Sequence, residues 1–150
     1  MTHTKDAATT FERVAGVLLV LGLLAGPVGT HVYWMLGGTW GLGRSTTTTG
    51  IRIVAVVVVL LLLAAVLVVL ARIGLWQQAY VSARIVRLLA WGLAGFFLLH
   101  GLLSLVEGWI SQSLPEWWLY GPSGLVLGLL ALVVANSGGA WGIHRAQPSH

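Results

Sequence analysis

Residues 53–71, "IVAVVVVLLLLAAVLVVLA", are 19 consecutive apolar side chains with Arg52 before them and Arg72 after them. At about 1.5 Å per residue a helix of that length covers ~28 Å, close to the ~30 Å hydrocarbon core of a bilayer. The valines alone could suggest a buried strand, but strands usually hold only about 3–10 residues. A helix satisfies its own backbone hydrogen bonds, and lipid offers no other partner for them. The run therefore predicts a membrane-spanning helix.

Composition extends that conclusion to the whole chain. Of the 150 residues 57% are hydrophobic and 8% charged, against about 25% charged in a soluble domain. Too few charged side chains are present to coat a water-soluble core. Three further segments are long and apolar enough to cross, so the spans read as residues 14–36, 51–71, 88–106 and 119–135 of one domain covering residues 1–150. The expected fold class is all-α, an integral membrane four-helix bundle. There is no cysteine, which excludes disulfides, thiolate metal sites and cysteine nucleophiles. The formal charge of +4 resides on cations that flank apolar runs instead of forming a patch interleaved with aromatics, so nucleic acid is not an expected partner.

Those cations assign the sides. Lys5 and Arg13 precede the first span, Arg72, Arg84 and Arg87 separate the second from the third, and Arg145 follows the fourth. Arg44 and Arg52 flank the first connection, and the third connection carries Glu107 and Glu116 with no cation. The positive-inside rule then predicts both termini in the cytoplasm of a multi-pass protein of the bacterial cytoplasmic membrane. Trp76, Tyr80 and Trp141 would mark the inner interface, and Trp34, Trp40, Trp109, Trp117 and Trp118 the outer one. A cleaved secretory signal is the alternative for the N-terminus. The apolar pattern runs on to Leu36, past the length of a signal core, and reads as a retained signal anchor. "GGTWGLGRSTTTTG" reads as an exposed outer loop and "RIGLWQQAYVSAR" as a brief interfacial helix.

Helices in lipid associate through close packing, so small residues mark the contacts. Gly22, Gly26 and Gly29 line the first span, Gly92, Ala94 and Gly95 open a face of the third, and Gly124 and Gly128 form a G-x-x-x-G pair in the fourth. These serve packing within the chain, or else a homodimer or larger membrane complex. Pro27 removes one helical hydrogen bond and predicts a kink between residues 23 and 27 that re-aims His31.

Ionisable groups at membrane depth invite a functional reading. His100, Ser104, Glu107 and Ser111 follow helical spacing on the third span, Pro27, His31 and Trp34 share a face of the first, and Tyr120 opens the fourth. If these faces meet they form an outward-opening pocket whose candidate ligands are His31, Tyr33, Trp34, Trp40, His100, Ser104, Glu107 and Tyr120. Such a pocket suits a quinone or another small lipophilic molecule, with tyrosine or histidine donating hydrogen bonds and tryptophan stacking. Haem held between His31 and His100 is a second reading. His31 lies about 27 Å beyond Arg13 and His100 about 20 Å beyond Arg87, an awkward offset of ~7 Å. Proton-coupled transport through Glu107 is a third. Against all of these stands the plain reading, in which His31 bonds a backbone carbonyl, Glu107 is a solvated helix end and the tryptophans are anchors. No phosphate loop, H-E-x-x-H, G-x-S-x-G or catalytic carboxylate pair is present, and the chain reads as non-enzymatic or accessory, with no catalytic residues and no metal site.

"HVYWMLGGTWGLG", then "WGLAGFFLL" with Glu107-Gly108 at the end of its span, then "LYGPSGLVLGLLALVVA" together resemble the small bacterial membrane proteins of the domain of unknown function 3995 family. The resemblance implies four spans and brings no established activity. It draws attention to His31, Tyr33, Trp34, Gly37, Gly38, Trp40, Gly41, Tyr120 and Pro122. The chain departs from the family pattern in reading Leu119-Tyr120-Gly121-Pro122 where "LYSP" is usual, and in placing His100 near a position that often holds arginine.

Overall fold

The computed structural model describes residues 3–42, 48–76, 82–111 and 119–137. Helix α1 (His3–Leu23), a π-helical turn (Leu24–Val28) and α2 (Gly29–Met35) form one continuous rod. It is followed by α3 (Thr49–Arg72), α4 (Ala83–Ser111) and α5 (Gly121–Asn136). No strand occurs among the described residues, so the architecture is all-α with four rods. Three of them, residues 10–35, 49–72 and 84–111, are long and apolar enough to cross a membrane, while α5 is equally apolar but has 16 residues.

The surface shows which solvent the chain is built for. On α3 the side chains of Ile53, Val54, Leu60 and Leu61 are each 60% or more exposed, and α4 exposes Leu88, Phe96, Leu99 and Ile110. Water-soluble monomers seldom show contiguous apolar patches beyond a few hundred Å². Lipid is the solvent that such a surface suits. Inside, Leu19 and Leu23 of α1, Leu62, Val66 and Val69 of α3, Ala94 and Phe97 of α4, and Leu127, Ala131 and Val134 of α5 form the core. The largely lipid-facing character expected of the second span is present, with one stripe (Ala55, Leu62, Val66, Val69) turned inward.

The α4–α5 contact is the closest in the bundle. A β-carbon at Gly101 would lie 2.5 Å from the Leu125 nitrogen and 2.9 Å from the Gly121 oxygen, and one at Gly124 would lie 2.8 Å from the Gly101 α-carbon. Gly128 is as tightly placed, 2.8 Å from the Leu98 nitrogen by the same construction. The G-x-x-x-G pair of the fourth span therefore packs inside the chain, backbone on backbone. Its partner is Gly101. The expectation for α4 needs correction: Ala94 is buried, but Gly92 and Gly95 face open space. Gly22 does pack, against Leu127, whereas Gly26 meets nothing.

Two helix ends close on glycine. After α2, Gly37 takes φ +100°, its amide donates to the Trp34 carbonyl (3.1 Å) and the Gly38 amide to the Tyr33 carbonyl (2.9 Å). After α3, Gly74 repeats the pattern at φ +76°, with Gly74 bonded to Ala71 and Leu75 to Leu70. Both are Schellman caps, which need a left-handed residue and so favour glycine. Helix α5 ends differently. The guanidinium of Arg72, 7% exposed, donates to the carbonyls of Val134 (3.3 Å), Ala135 (3.4 Å) and Ser137. A side chain from α3 thus supplies the donors that the last turn of α5 lacks. Of the interfacial helix predicted over residues 72–84, residues 73–76 form the turn that caps α3 and not a helix, and residues 77–81, Tyr80 among them, lie outside the described residues, as do Arg44, Glu116, Trp117, Trp118, Trp141 and Arg145.

Candidate functional site

Pro27 has no amide hydrogen, and the rod accommodates it by widening into the π-helical turn Leu24–Val28. The expected kink is thus a π turn, a feature frequent at functional sites. His31 sits one turn further on. Its Nδ1 donates to the Pro27 carbonyl at 2.7 Å, and its ring meets Trp34 edge-on with centroids 4.8 Å apart. This tautomer leaves Nε2 as an acceptor.

The Schellman cap at Gly37 turns the chain back, and Trp34 Nε1 ties the returning segment down by donating to the Trp40 carbonyl at 2.9 Å. The Trp40 ring then rests on Tyr120 at the entry to α5, with centroids 6.4 Å apart. Gly41 lies between them at φ +80°, where a β-carbon would overlap the Tyr120 hydroxyl and lie 3.8 Å from the Trp34 ring. Trp34 and Trp40, six residues apart, and Tyr120, distant from both in sequence, are therefore one aromatic cluster. Tyr33 lies across the backbone of Gly38.

A surface cleft of about 500 Å³ opens beside this cluster, lined by Ala25, Gly29, Thr30, Tyr33 and Trp40. Two small residues form its floor and two aromatic side chains its wall. Thr30 and Tyr33 bring the hydroxyls that a polar head group could use. Of the eight sequence candidates, Tyr33 and Trp40 line the cleft, and His31, Trp34 and Tyr120 support it. Sequence reasoning passed over Ala25, Gly29 and Thr30 as lining. Their i, i+4, i+5 spacing just before Tyr33 was the available signal.

The stripe on α4 divides. Ser104 is buried, while His100, Glu107 and Ser111 are exposed, and His100 stacks flat on Phe96 with centroids 5.9 Å apart. At ~100° per residue the stripe is centred about a quarter turn from the face that α4 buries. Only Ser104, at its edge, points inward. No ring contact or hydrogen bond joins His31 to His100, and the described residues include no group of three or more His, Cys, Asp or Glu side chains able to hold a metal ion.

Comparison with known proteins adds a family and no activity. No curated protein and no solved structure matches the chain. The family model described as "Protein of unknown function (DUF3995)" matches residues 21–131, a stretch that runs from the end of α1 through the π turn, the aromatic cluster and the α4–α5 contact, and the chain belongs to that family.

Proposed function

We propose that this protein is a non-enzymatic, multi-pass component of the bacterial cytoplasmic membrane, with both termini in the cytoplasm. In this reading it holds a small lipophilic ligand with a polar head, of the quinone class, in the cleft beside the π turn. The observation that carries the reading is the cleft itself. About 500 Å³ falls within the ~300–1,000 Å³ usual for small-molecule sites. Its walls offer what such a ligand needs, namely aromatic faces on Trp40 and Tyr33 and hydroxyls on Thr30 and Tyr33. Lipid-facing α1 and α3 surfaces let an apolar tail leave the cleft directly into the bilayer.

The test is photolabelling of the purified protein in lipid nanodiscs with an azido-quinone, followed by peptide mapping. Labelling concentrated within residues 25–40, competed by unmodified quinone and reduced at least about tenfold in Gly29→Leu, supports the reading. Uniform labelling along all four rods, or labelling unaffected by Gly29→Leu, refutes it. A reporter fused after Arg145 reads the orientation separately, and activity on the periplasmic side would overturn it.

A further inference from the structure

The end of the bundle opposite the cleft carries a second site. There the entry of α1, the C-terminus of α3, the N-terminus of α4 and the C-terminus of α5 converge, as the packing of Gly16 on Ile73 and of Arg72 on the α5 carbonyls requires. Arg13, Arg84 and Arg87 are exposed at this end and Arg72 is buried within it. Glu12 is the one carboxylate among the described side chains there. Arg84 stands in the first turn of α4 and Arg87 at the start of the second. The helix dipole is already positive at that terminus, so two cations there repel it and gain nothing from the fold. Their charge faces outward with no ion pair among the described residues.

Toward the middle of the bundle the same face of α4 changes character. Leu88 and Trp91 are exposed, and Gly92 and Gly95 have nothing within 4 Å of where a β-carbon would be. By helical spacing Arg84, Leu88, Trp91, Gly92 and Gly95 lie along one exposed strip. It begins as a cationic rim and continues as a smooth apolar track. The rise from Arg84 to Gly95 is about 16 Å, roughly one leaflet of the ~30 Å hydrocarbon core. We propose that this strip binds one anionic phospholipid, with its phosphate on Arg84 and Arg87 and an acyl chain laid over Gly92 and Gly95 beside Trp91.

Charge decides against the other obvious occupant. Two copies in the same membrane are related by a two-fold axis along its normal, so the strip would meet itself residue for residue. Arg84 and Arg87 of one copy would then face the same cations of the other at close range, a like-charge repulsion that nothing in the contact offsets. A lipid phosphate neutralises them instead, and a cationic site between helix ends at one membrane surface is a recognised form of anionic lipid pocket.

The experiment is native mass spectrometry of the full chain released from nanodiscs of equal phosphatidylglycerol and phosphatidylcholine content. The wild type should retain one phosphatidylglycerol at least about tenfold in excess of phosphatidylcholine. The Arg84→Gln/Arg87→Gln pair should abolish the preference, and Gly95→Leu, which fills the track and keeps the charges, should lower retention of both lipids. Arg13→Gln, off the strip, should leave the preference in place. Equal retention of the two lipids, or a preference unchanged in the double variant, overturns the proposal. So does displacement of the lipid by millimolar inorganic phosphate, which would make this a free-phosphate site. A dimer that Gly95→Leu disrupts with lipid retention intact would make the strip a contact between copies.

Discussion

Gly101→Ala and Gly92→Ala are the same chemical change in the same helix, and the packing of α4 predicts opposite results. At Gly101 the new methyl would lie 2.5 Å from the Leu125 nitrogen and 2.9 Å from both the Gly121 oxygen and the Gly124 carbonyl carbon, whereas ordinary contact begins at 3.4 Å. These atoms are all backbone, so no rotamer change relieves the overlap, and α4 and α5 must part by about 1 Å. A gap of that size forfeits roughly a quarter to a half of the dispersion energy of each atom pair along the seam. Overpacking of this kind costs about 1–3 kcal/mol. Alanine returns up to about 1 kcal/mol as the better helix former. The net expectation for Gly101→Ala is a loss near 1 kcal/mol, about a fivefold shift of the folding equilibrium. Gly92, with nothing within 4 Å, should be neutral or gain up to about 1 kcal/mol. Titration of detergent-solubilised protein with sodium dodecyl sulfate, followed by tryptophan fluorescence, measures both. Equal midpoints for the two variants would refute the backbone-on-backbone account of the α4–α5 seam.

Two other substitutions probe the ends of the bundle. Arg72→Met keeps the apolar stem and removes the guanidinium donors to the Val134, Ala135 and Ser137 carbonyls, leaving Val134 only its bonds from Ser137. The expected loss is about 2–4 kcal/mol, with faster amide exchange at residues 133–137, and unchanged exchange there would contradict the capping role. Gly41→Ala places a side chain at φ +80° and into the Tyr120 hydroxyl. It should cost about 1–3 kcal/mol and shift the emission of Trp40. Restoration of both by Tyr120→Phe would identify the hydroxyl overlap as the cause, and wild-type stability in Gly41→Ala alone would show that the loop does not hold this position.

The sequence made the four apolar rods legible because a run such as residues 53–71 has no other stable form. It also disclosed the Gly124/Gly128 contact, since its spacing of four is the signature of close helix approach. It misplaced the contacting face of α4. Apart from its polar stripe that helix is apolar on every side, so hydrophobic periodicity carries little information about which side is buried. The small residues Ala90, Ala94, Gly101, Ser104 and Gly108 do carry it, at spacings near 3.5, and all are buried. Attention went instead to Gly92 and Gly95, where glycine leaves open space. The polar stripe from His100 to Ser111 was read correctly as one face, but a face becomes a site only when another helix covers it. The expected pocket already groups Trp34, Trp40 and Tyr120, but without the contacts that join them. Their union depends on a turn at Gly37 and on where α5 begins, both long-range consequences of the fold. Arg72 was legible only as a charge at the end of a span. That its donors would meet a helix 62 residues later has no local trace.

The arginine at the end of α5 also bears on how the protein is made. Spans enter the bilayer in the order of synthesis, and when α3 is in place α5 has not yet been made. Until then Arg72 must keep its guanidinium among headgroups and water, as long cationic side chains near span ends do. Helix α5 has 16 residues, about 24 Å, which is short of the ~30 Å core. The Ala135 and Ser137 carbonyls at its end take their donors from Arg72. Each half lacks what the other holds, and the last helix to emerge closes the assembly by exchanging two solvation shells for one internal cap. A chain truncated before α5 is expected to leave α3 with an unspent donor at its end, marking the unfinished protein for membrane quality control.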